Sequence, residues 1–245
     1  MPDYGRKLIK LQNSMSEEQK IQVHTKAGMF YTTCYKPLFE REKSNPISEV
    51  VRLDNMEFMA AFPDKFFDLA VVDPEYGIGI SKNPFRQKHD KKDWDAKPPA
   101  EEYFKELQRV SKDQIVWGGN YFDLPPTQGF IIWDKMQPFD FSSAMCEFAW
   151  SSIQKPAKIY KKHVVTAEPN KIHPTQKPKS LYKFCFKVWD GKGKILDTHL
   201  GSQSSRIAAW EMGFDFWGCE IDEQYFNEGC KRFENETMQT ALWVG

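Results

Sequence analysis

Net charge is the first thing this chain lacks: 34 Lys and Arg face 34 Asp and Glu over 245 residues. Bulk attraction to nucleic acid is excluded, so any affinity for phosphate must come from local patches. No apolar run reaches the roughly eighteen residues of a membrane helix, and no signal-peptide pattern is present. A soluble, cytoplasmic protein is expected. The 5 cysteines are odd in number, scattered and without a C-x-x-C pair. Neither a disulfide framework nor a metal cluster is expected from them. Glycine is also sparse where a dinucleotide site would need it. The best nucleotide-type turn carries Gly201 alone of the G-x-G-x-x-G pattern,.

What is present is a series of short apolar runs that end in acids. Leu69 to Val72 is rich in β-branched residues, as a buried parallel strand should be, and it stops at Asp73-Pro74-Glu75-Tyr76-Gly77,. In open α/β sheets ligands bind just past such strand ends. An acid beside a rigid proline and a flat ring suits a planar group carrying an amine, although Asp, Pro and Gly also make ordinary turns. A second stretch, Lys194 to Ser205, reads as strand, tight turn and helix start, with helix pattern through Trp210. The strand Phe216 to Ile221 follows, and Asp222 is suited to cap the next helix,. Its Glu220 lies at the distance where an acid can hold ribose hydroxyls.

The rest of the chain fits one α/β domain over residues 46–237, with an N-terminal extension over 1–45 and a tail over 238–245. Within the extension Met29 to Tyr35 is strand-like. The sheet is expected to begin at Glu49 to Asp54, followed by a helix with Met56, Met59, Ala60 and Phe62 on one side. Asp54 is open to two readings, a helix N-cap or a ligand contact at a strand end. Residues 81–99 form a long loop with Lys82, Arg86, Lys88, Lys91 and Lys92 interleaved with Phe85 and Trp94. That mixture suits phosphate contact and base stacking, and a merely solvated loop is the other reading. A helix from Glu101 to Lys112 leads to a strand over Gln114 to Trp117, and further strands are expected at Phe130 to Lys135 and Cys146 to Trp150. The latter is read as the last strand on its side, with Trp117, Trp133 and Trp150 as core. Residues 155–172 read as a second basic loop.

The stretches Asp73-Pro74-Glu75-Tyr76-Gly77 and Asp197-Thr198-His199-Leu200-Gly201-Ser202-Gln203-Ser204-Ser205 together resemble the amino-methylating DNA methyltransferases. That family writes its catalytic motif D/N/S-P-P-Y/F and its cofactor motif D-P-F-x-G-S-G-T-T. Catalytic motif before cofactor motif is the permuted order of the family's β group. His173-Pro174-Thr175-Gln176-Lys177-Pro178 between them, and Trp117-Gly118-Gly119-Asn120-Tyr121-Phe122, resemble the same group. The resemblance spans roughly residues 46 to 235.

It implies a Rossmann-like fold with a mostly parallel sheet and helices on both faces, S-adenosylmethionine as cofactor, DNA as partner, and no metal. Asp73 and the Pro74 carbonyl would hold the target amine while Tyr76 stacks on the flipped base. Thr175 and Lys177, in the segment with His173, would hold the cofactor's methionine carboxylate. Asp54 would approach its adenine amine, Asp197, Thr198, Gly201 and Ser202 would form its turn, and Glu220 would take its ribose. A bacterial or phage-encoded enzyme of DNA modification, in a restriction system or outside one, is the implied setting. Adenine N6 is the expected target, because the family often carries Ser at position 73 for cytosine N4. Cytosine N4, an RNA amine and an inactive binding protein of the same fold stay open. The space before His173 is too short for a separate recognition domain, so sequence reading would fall to loops or to a second subunit. Glu75 and Gln203 depart from the motifs, and His199 is read as turn structure.

Overall fold

The computed structural model describes residues 22–25, 28–31, 46–77, 98–140, 144–163, 171–173 and 175–242. They form a ten-stranded sheet: β1 Gln22–Thr25, β2 Gly28–Tyr31, β3 Ser48–Arg52, β4 Phe67–Val72, β5 Ser111–Trp117, β6 Phe130–Asp134, β7 Cys146–Ser151, β8 Lys158–Lys161, β9 Lys194–Asp197 and β10 Asp215–Glu220. The order across the sheet is β2-β1-β3-β10-β9-β4-β5-β7-β6-β8. The five central strands, β3 to β5 in that order, are parallel to one another. Antiparallel pairs flank them on both sides.

Alternation along the strands divides the apolar side chains between two cores. Val51, Ala70, Val72 and Val116 face α1 (Asn55–Ala60) and α2 (Glu101–Val110). Val50, Leu69, Val71, Ile115 and Trp117 face α3 (Lys179–Trp189), α4 (Ser204–Glu211) and α5 (Glu223–Leu242). Strands covered on both faces must be apolar throughout, which is why Leu69 to Val72 reads as an unbroken run. On α2 the helix-spaced Tyr103, Phe104, Leu107 and Val110 are all buried. Each such burial stabilises by about 1.5–3 kcal/mol.

The chain winds outward in opposite directions from the middle of the sheet. From β4 it moves to the adjacent β5, and from β9 it moves to β10 on the other side. The boundary between β4 and β9 is therefore a topological switch point, where the crevice at the strand ends receives ligands. Asp73 follows β4 there, and the turn from Thr198 to Ser202 follows β9. Pro74 has no backbone N–H and cannot extend the ladder.

Several boundaries move relative to the sequence expectations. β3 stops at Arg52, and Asp54 caps α1 by accepting from the backbone N–H of Met56 and Glu57. α2 ends at Val110, because Ser111 is already extended and its hydroxyl donates to the Leu107 carbonyl. The segment from Cys146 is not the last strand: part of the expected basic loop forms β8, which pairs parallel with β6. At the other edge β1 and β2 precede Glu49 in the sheet. Trp117, Trp133 and Trp150 are buried, as expected. Among the described residues no helix is long and apolar enough to cross a membrane.

Candidate active site

The wall that follows β4 is built from charge. Asp73 Oδ1 accepts the Tyr76 hydroxyl at 2.7 Å, and Asp73 Oδ2 lies 2.5 Å from Lys177 Nζ. Lys177 is 3.1 Å from Glu147 Oε2, and Glu147 Oε1 is 2.7 Å from Lys135 Nζ. The result is an alternating row, Lys135–Glu147–Lys177–Asp73. Burial alone would push Glu147 up, yet Lys177 and Lys135 hold it down to about 2. Burial likewise works against the Lys177 charge, and the carboxylates of Asp73 and Glu147 outweigh it and raise the ammonium's pKa. The rings of Trp117 and Tyr76 flank the same ammonium at 5.5 and 5.6 Å,.

Tyr76 is held on several sides. Its ring stacks on Tyr121 at 5.0 Å with 16° between planes. Gly118, at φ +70, meets its edge so closely that a Cβ would fall 2.1 Å from Tyr76 Cε1. The W-G-G-N-Y-F run therefore needs its first glycine for this approach and supplies Tyr121 as the stacking partner. Burial, then the Asp73 and Glu147 charges, push the phenol far above its ordinary pKa. Tyr76 is thus a neutral donor to Asp73.

The wall after β9 is built largely from backbone. Gly201, at φ +45, donates its N–H to Glu220 Oε2 at 2.7 Å, and the Asp222 N–H donates to Glu220 Oε1 at 2.9 Å. Burial raises the Glu220 pKa against these two hydrogen bonds. His173 packs edge-on against Tyr225 at 4.3 Å and lies beside Gly201. Thr198 shares a 2.7 Å hydrogen bond with the Tyr103 hydroxyl. His199 borders the cavity and stands 3.4 Å from Glu75, so it is more than turn structure.

A cavity of about 750 Å³ lies between the walls. It is bordered by Asp54, Asp73, Pro74, Tyr76, His173, Thr175, Lys177, Thr198, Gly201, Ser202 and Glu220, all expected site residues. Asp197 does not border it. Its carboxyl is buried behind the turn, accepting from Ser205 Oγ at 2.5 Å and the His199 N–H at 3.0 Å, and burial raises its pKa to about 7. Asp197 thus shapes the turn from behind the cavity. Lys177 borders the cavity with its ammonium held between Asp73 and Glu147. Asp54 fills both of its readings, as cap and cavity residue. Lys82, Arg86, Lys88, Lys91 and Lys92 lie outside the described residues.

Sequence reasoning missed Glu147, Lys135 and Tyr121 at this site. Lys135 and Glu147 meet because β6 and β7 pair with Trp133 opposite Glu147. That register is not written in either strand alone. Tyr121 was within reach, since it lies in the W-G-G-N-Y-F run that resembles the family.

Residues 116–231 match the N6/N4 methylase family, described as DNA methylase. Over that span the chain is similar to the amino-methylating DNA methylases. The matched span takes in the W-G-G-N-Y-F run, the His173 to Pro178 segment, the Gly201 turn and Glu220, and begins after Asp73. A curated relative, the putative methylase YubD of Escherichia coli K12, is 25% identical over 223 residues, covering 81% of this chain and 95% of the relative. The PvuII cytosine-N4-specific DNA methyltransferase superposes with a TM-score of 0.50 at 12% identity, over 78% of this chain and 86% of that one. A putative DNA modification methylase from Thermus thermophilus, solved with S-adenosyl-L-methionine, has a TM-score of 0.47 at 18% identity, over 75% and 91%.

Proposed function

We propose that this protein transfers a methyl group from S-adenosylmethionine to the exocyclic amine of a base flipped out of DNA, with adenine N6 as the target. The observation that carries this reading is Asp73. Its carboxylate borders the cavity at the switch point with one oxygen on the Tyr76 hydroxyl and the other on Lys177. An exocyclic amine is a poor nucleophile because its lone pair is delocalised into the ring. An acceptor on each of its hydrogens draws the nitrogen toward tetrahedral geometry and aims the lone pair. Asp73 and the Pro74 carbonyl take those two roles. A carboxylate preorganised in this way costs no reorientation at the moment of reaction.

S-adenosylmethionine supplies, when bound, a methyl group already activated on a sulfonium. The residues after β9 and β10 fit such a molecule. Glu220 offers a buried carboxylate, fixed by two backbone amides, for ribose hydroxyls. Gly201 leaves open a surface whose nearest neighbour is the His173 ring, 3.5 Å from where a Cβ would stand. Asp54 suits the adenine amine, and His173 and Thr175 take the methionine end, since Lys177 is engaged elsewhere. The cavity volume falls within the roughly 300–1,000 Å³ of small-molecule sites.

A base inside a duplex cannot reach this cavity, so it must flip out at a cost of a few kcal/mol. Exposed Tyr121 borders the cavity, and exposed Met136, Phe139 and Met145 lie on the connection between β6 and β7, from which Lys135 and Ala144 reach the cavity. Apolar and flat side chains at that edge suit the bases that flipping unstacks. The basic residues Lys82, Arg86, Lys88, Lys91 and Lys92 are assigned to phosphate contact. The preference for adenine rests on the resemblance, through Asp in place of Ser at position 73.

The test is transfer of labelled methyl to mixed DNA and RNA, followed by nucleoside analysis. N6-methyladenine in DNA is the expected product. N4-methylcytosine would replace the target base, and labelled RNA would replace the substrate. Neither transfer nor S-adenosylmethionine binding would leave a methylase fold that acts by binding alone.

A further inference from the structure

Two motif letters that set this chain apart from the family it resembles meet in space. Glu75 stands where the catalytic motif has its second proline, and His199 stands where the cofactor motif has phenylalanine. His199 Nε2 lies 3.4 Å from Glu75 Oε2 and 3.1 Å from the Asn55 amide nitrogen. On the other side of the ring, Nδ1 lies 3.0 Å from the Thr198 hydroxyl and 3.4 Å from that of Tyr103. Asn55, Glu75 and His199 follow β3, β4 and β9 respectively, so one cluster ties together the loops at three strand ends. All three residues border the cavity, and the two side chains of the pair are only 27% and 11% exposed.

We propose that Glu75 and His199 form a polar joint that fixes the distance between the catalytic loop and the cofactor turn, exchanged as a unit for the family's proline and phenylalanine. The proposal rests on the methyltransferase reading. In such a transfer the attacking nitrogen and the methyl must lie in line within a narrow window of distance. Asp73 and Pro74 immediately precede Glu75, and Gly201 follows His199 by two residues. The pair thus spans the gap that the methyl crosses. Its members are positioning residues, since their contacts are to each other and to Asn55, Thr198 and Tyr103.

Neither exchange should be tolerated alone. Proline at 75 would leave the ring nitrogen with Asn55 only. Phenylalanine at 199 would leave a half-buried carboxylate without its imidazole, within electrostatic reach of Glu220. Both exchanges together would remove the carboxylate and the imidazole at once and leave no widowed charge.

A four-protein cycle tests this: the wild type, Glu75→Pro, His199→Phe and the double variant. Three readouts apply, namely S-adenosylmethionine affinity by calorimetry, kcat and KM for methyl transfer, and the melting temperature of the ligand-free protein. Each single exchange should weaken cofactor binding and lower kcat/KM by about tenfold, within the range expected of contacting residues. The double variant should return to within about threefold of wild type, with its melting temperature restored in parallel. Losses that simply multiply, or single variants that behave as wild type, would overturn the joint. Should Glu75→Pro fail to fold, Glu75→Ala replaces it in the same cycle, and Glu75→Gln, which keeps an acceptor, should retain most of the wild-type affinity. If the wild type neither binds S-adenosylmethionine nor transfers methyl, the enzyme reading fails. The ligand-free melting temperatures still report in that case whether positions 75 and 199 are coupled.

Discussion

The two walls of the cavity are made differently. The wall after β4 is a row of four buried or half-buried charges, Lys135, Glu147, Lys177 and Asp73, each held by its neighbour. The wall after β9 is a turn in which backbone amides meet carboxylates, with Glu220 held by the N–H groups of Gly201 and Asp222 and Asp197 by that of His199. A charge row is brittle, because removing one member strands another away from water. A backbone turn tolerates side-chain exchange so long as its dihedrals survive. The difference matches the two tasks. On the proposed function, the amine side must present a carboxylate in one orientation, whereas the cofactor side must mainly leave room.

Lys177→Met breaks the comparison hardest. It removes the cation between Asp73 and Glu147 and leaves both carboxylates facing each other with only Lys135 nearby. Loss of one partner from a buried pair costs about 3–5 kcal/mol, and chemical denaturation at pH 7 should show it. The deficit should shrink on acidification. In the wild type Glu147 is held at about 2, below its ordinary 4.5, so it contributes stability above pH 4.5 that is lost as pH falls toward 2. Without Lys177 most of that contribution is gone, and the two stability curves should converge over this window. A constant gap would mean that the row is not held by charge.

Asp73→Ala separates the two walls functionally. Methyl transfer should fall by a factor on the order of 10²–10³, as for deletion of one preorganised hydrogen bond. S-adenosylmethionine affinity by calorimetry should change little, because the cofactor side is assigned to the opposite wall. Loss of cofactor binding would move Asp73 to that side, and undiminished transfer would reduce the loop to a turn.

Much of this arrangement was legible in the sequence. Apolar runs ending at Asp54, Asp73, Asp197 and Glu220 marked parallel strands and the ends where ligands collect. Strand burial on two faces writes itself into composition, so the sheet's centre was readable. What composition could not give was lateral pairing. Glu147 and Lys135 look like ordinary polar ends of two strands, and only the β6–β7 register delivers them to Lys177. Lys158 and Lys161 look like loop residues because β8 is a short edge strand with little to bury. Asp197 shows what a motif does not tell: the acid faces inward, and Ser205 and a backbone amide satisfy it.

Glu220→Ala probes the backbone wall by removing the carboxylate that borders the cavity. Cofactor binding should weaken by about 1.5–3 kcal/mol, the range for charge-assisted hydrogen bonds. Part of the loss would come from the Gly201 and Asp222 amides left unpaired, which Glu220→Gln should partly restore. Unchanged affinity in calorimetry would remove Glu220 from the site.

The smallest effect is expected at Gln203, the residue that departs from a glycine in the cofactor motif. A side chain there threatens the ligand only if it points into the cavity, and it does not. Gln203 takes the left-handed conformation at φ +58, is fully buried, and turns toward α5. Its amide nitrogen lies 3.3 Å from the Phe226 carbonyl, and its oxygen accepts from Arg206 at 2.9 Å. Gly229 makes the room, since a Cβ there would fall 2.7 Å from Gln203 Cγ. Gln203→Gly therefore has opposing consequences. Relief of the left-handed backbone returns roughly 1–2 kcal/mol. Loss of two buried hydrogen bonds, including one to a buried guanidinium, costs about 1–3 kcal/mol. The net should be a destabilisation of about 1 kcal/mol or less in thermal unfolding, with cofactor affinity unchanged. A gain in S-adenosylmethionine affinity in Gln203→Gly would show that the glutamine does crowd the ligand, and that the cofactor turn is not as indifferent to side chains as its backbone construction implies.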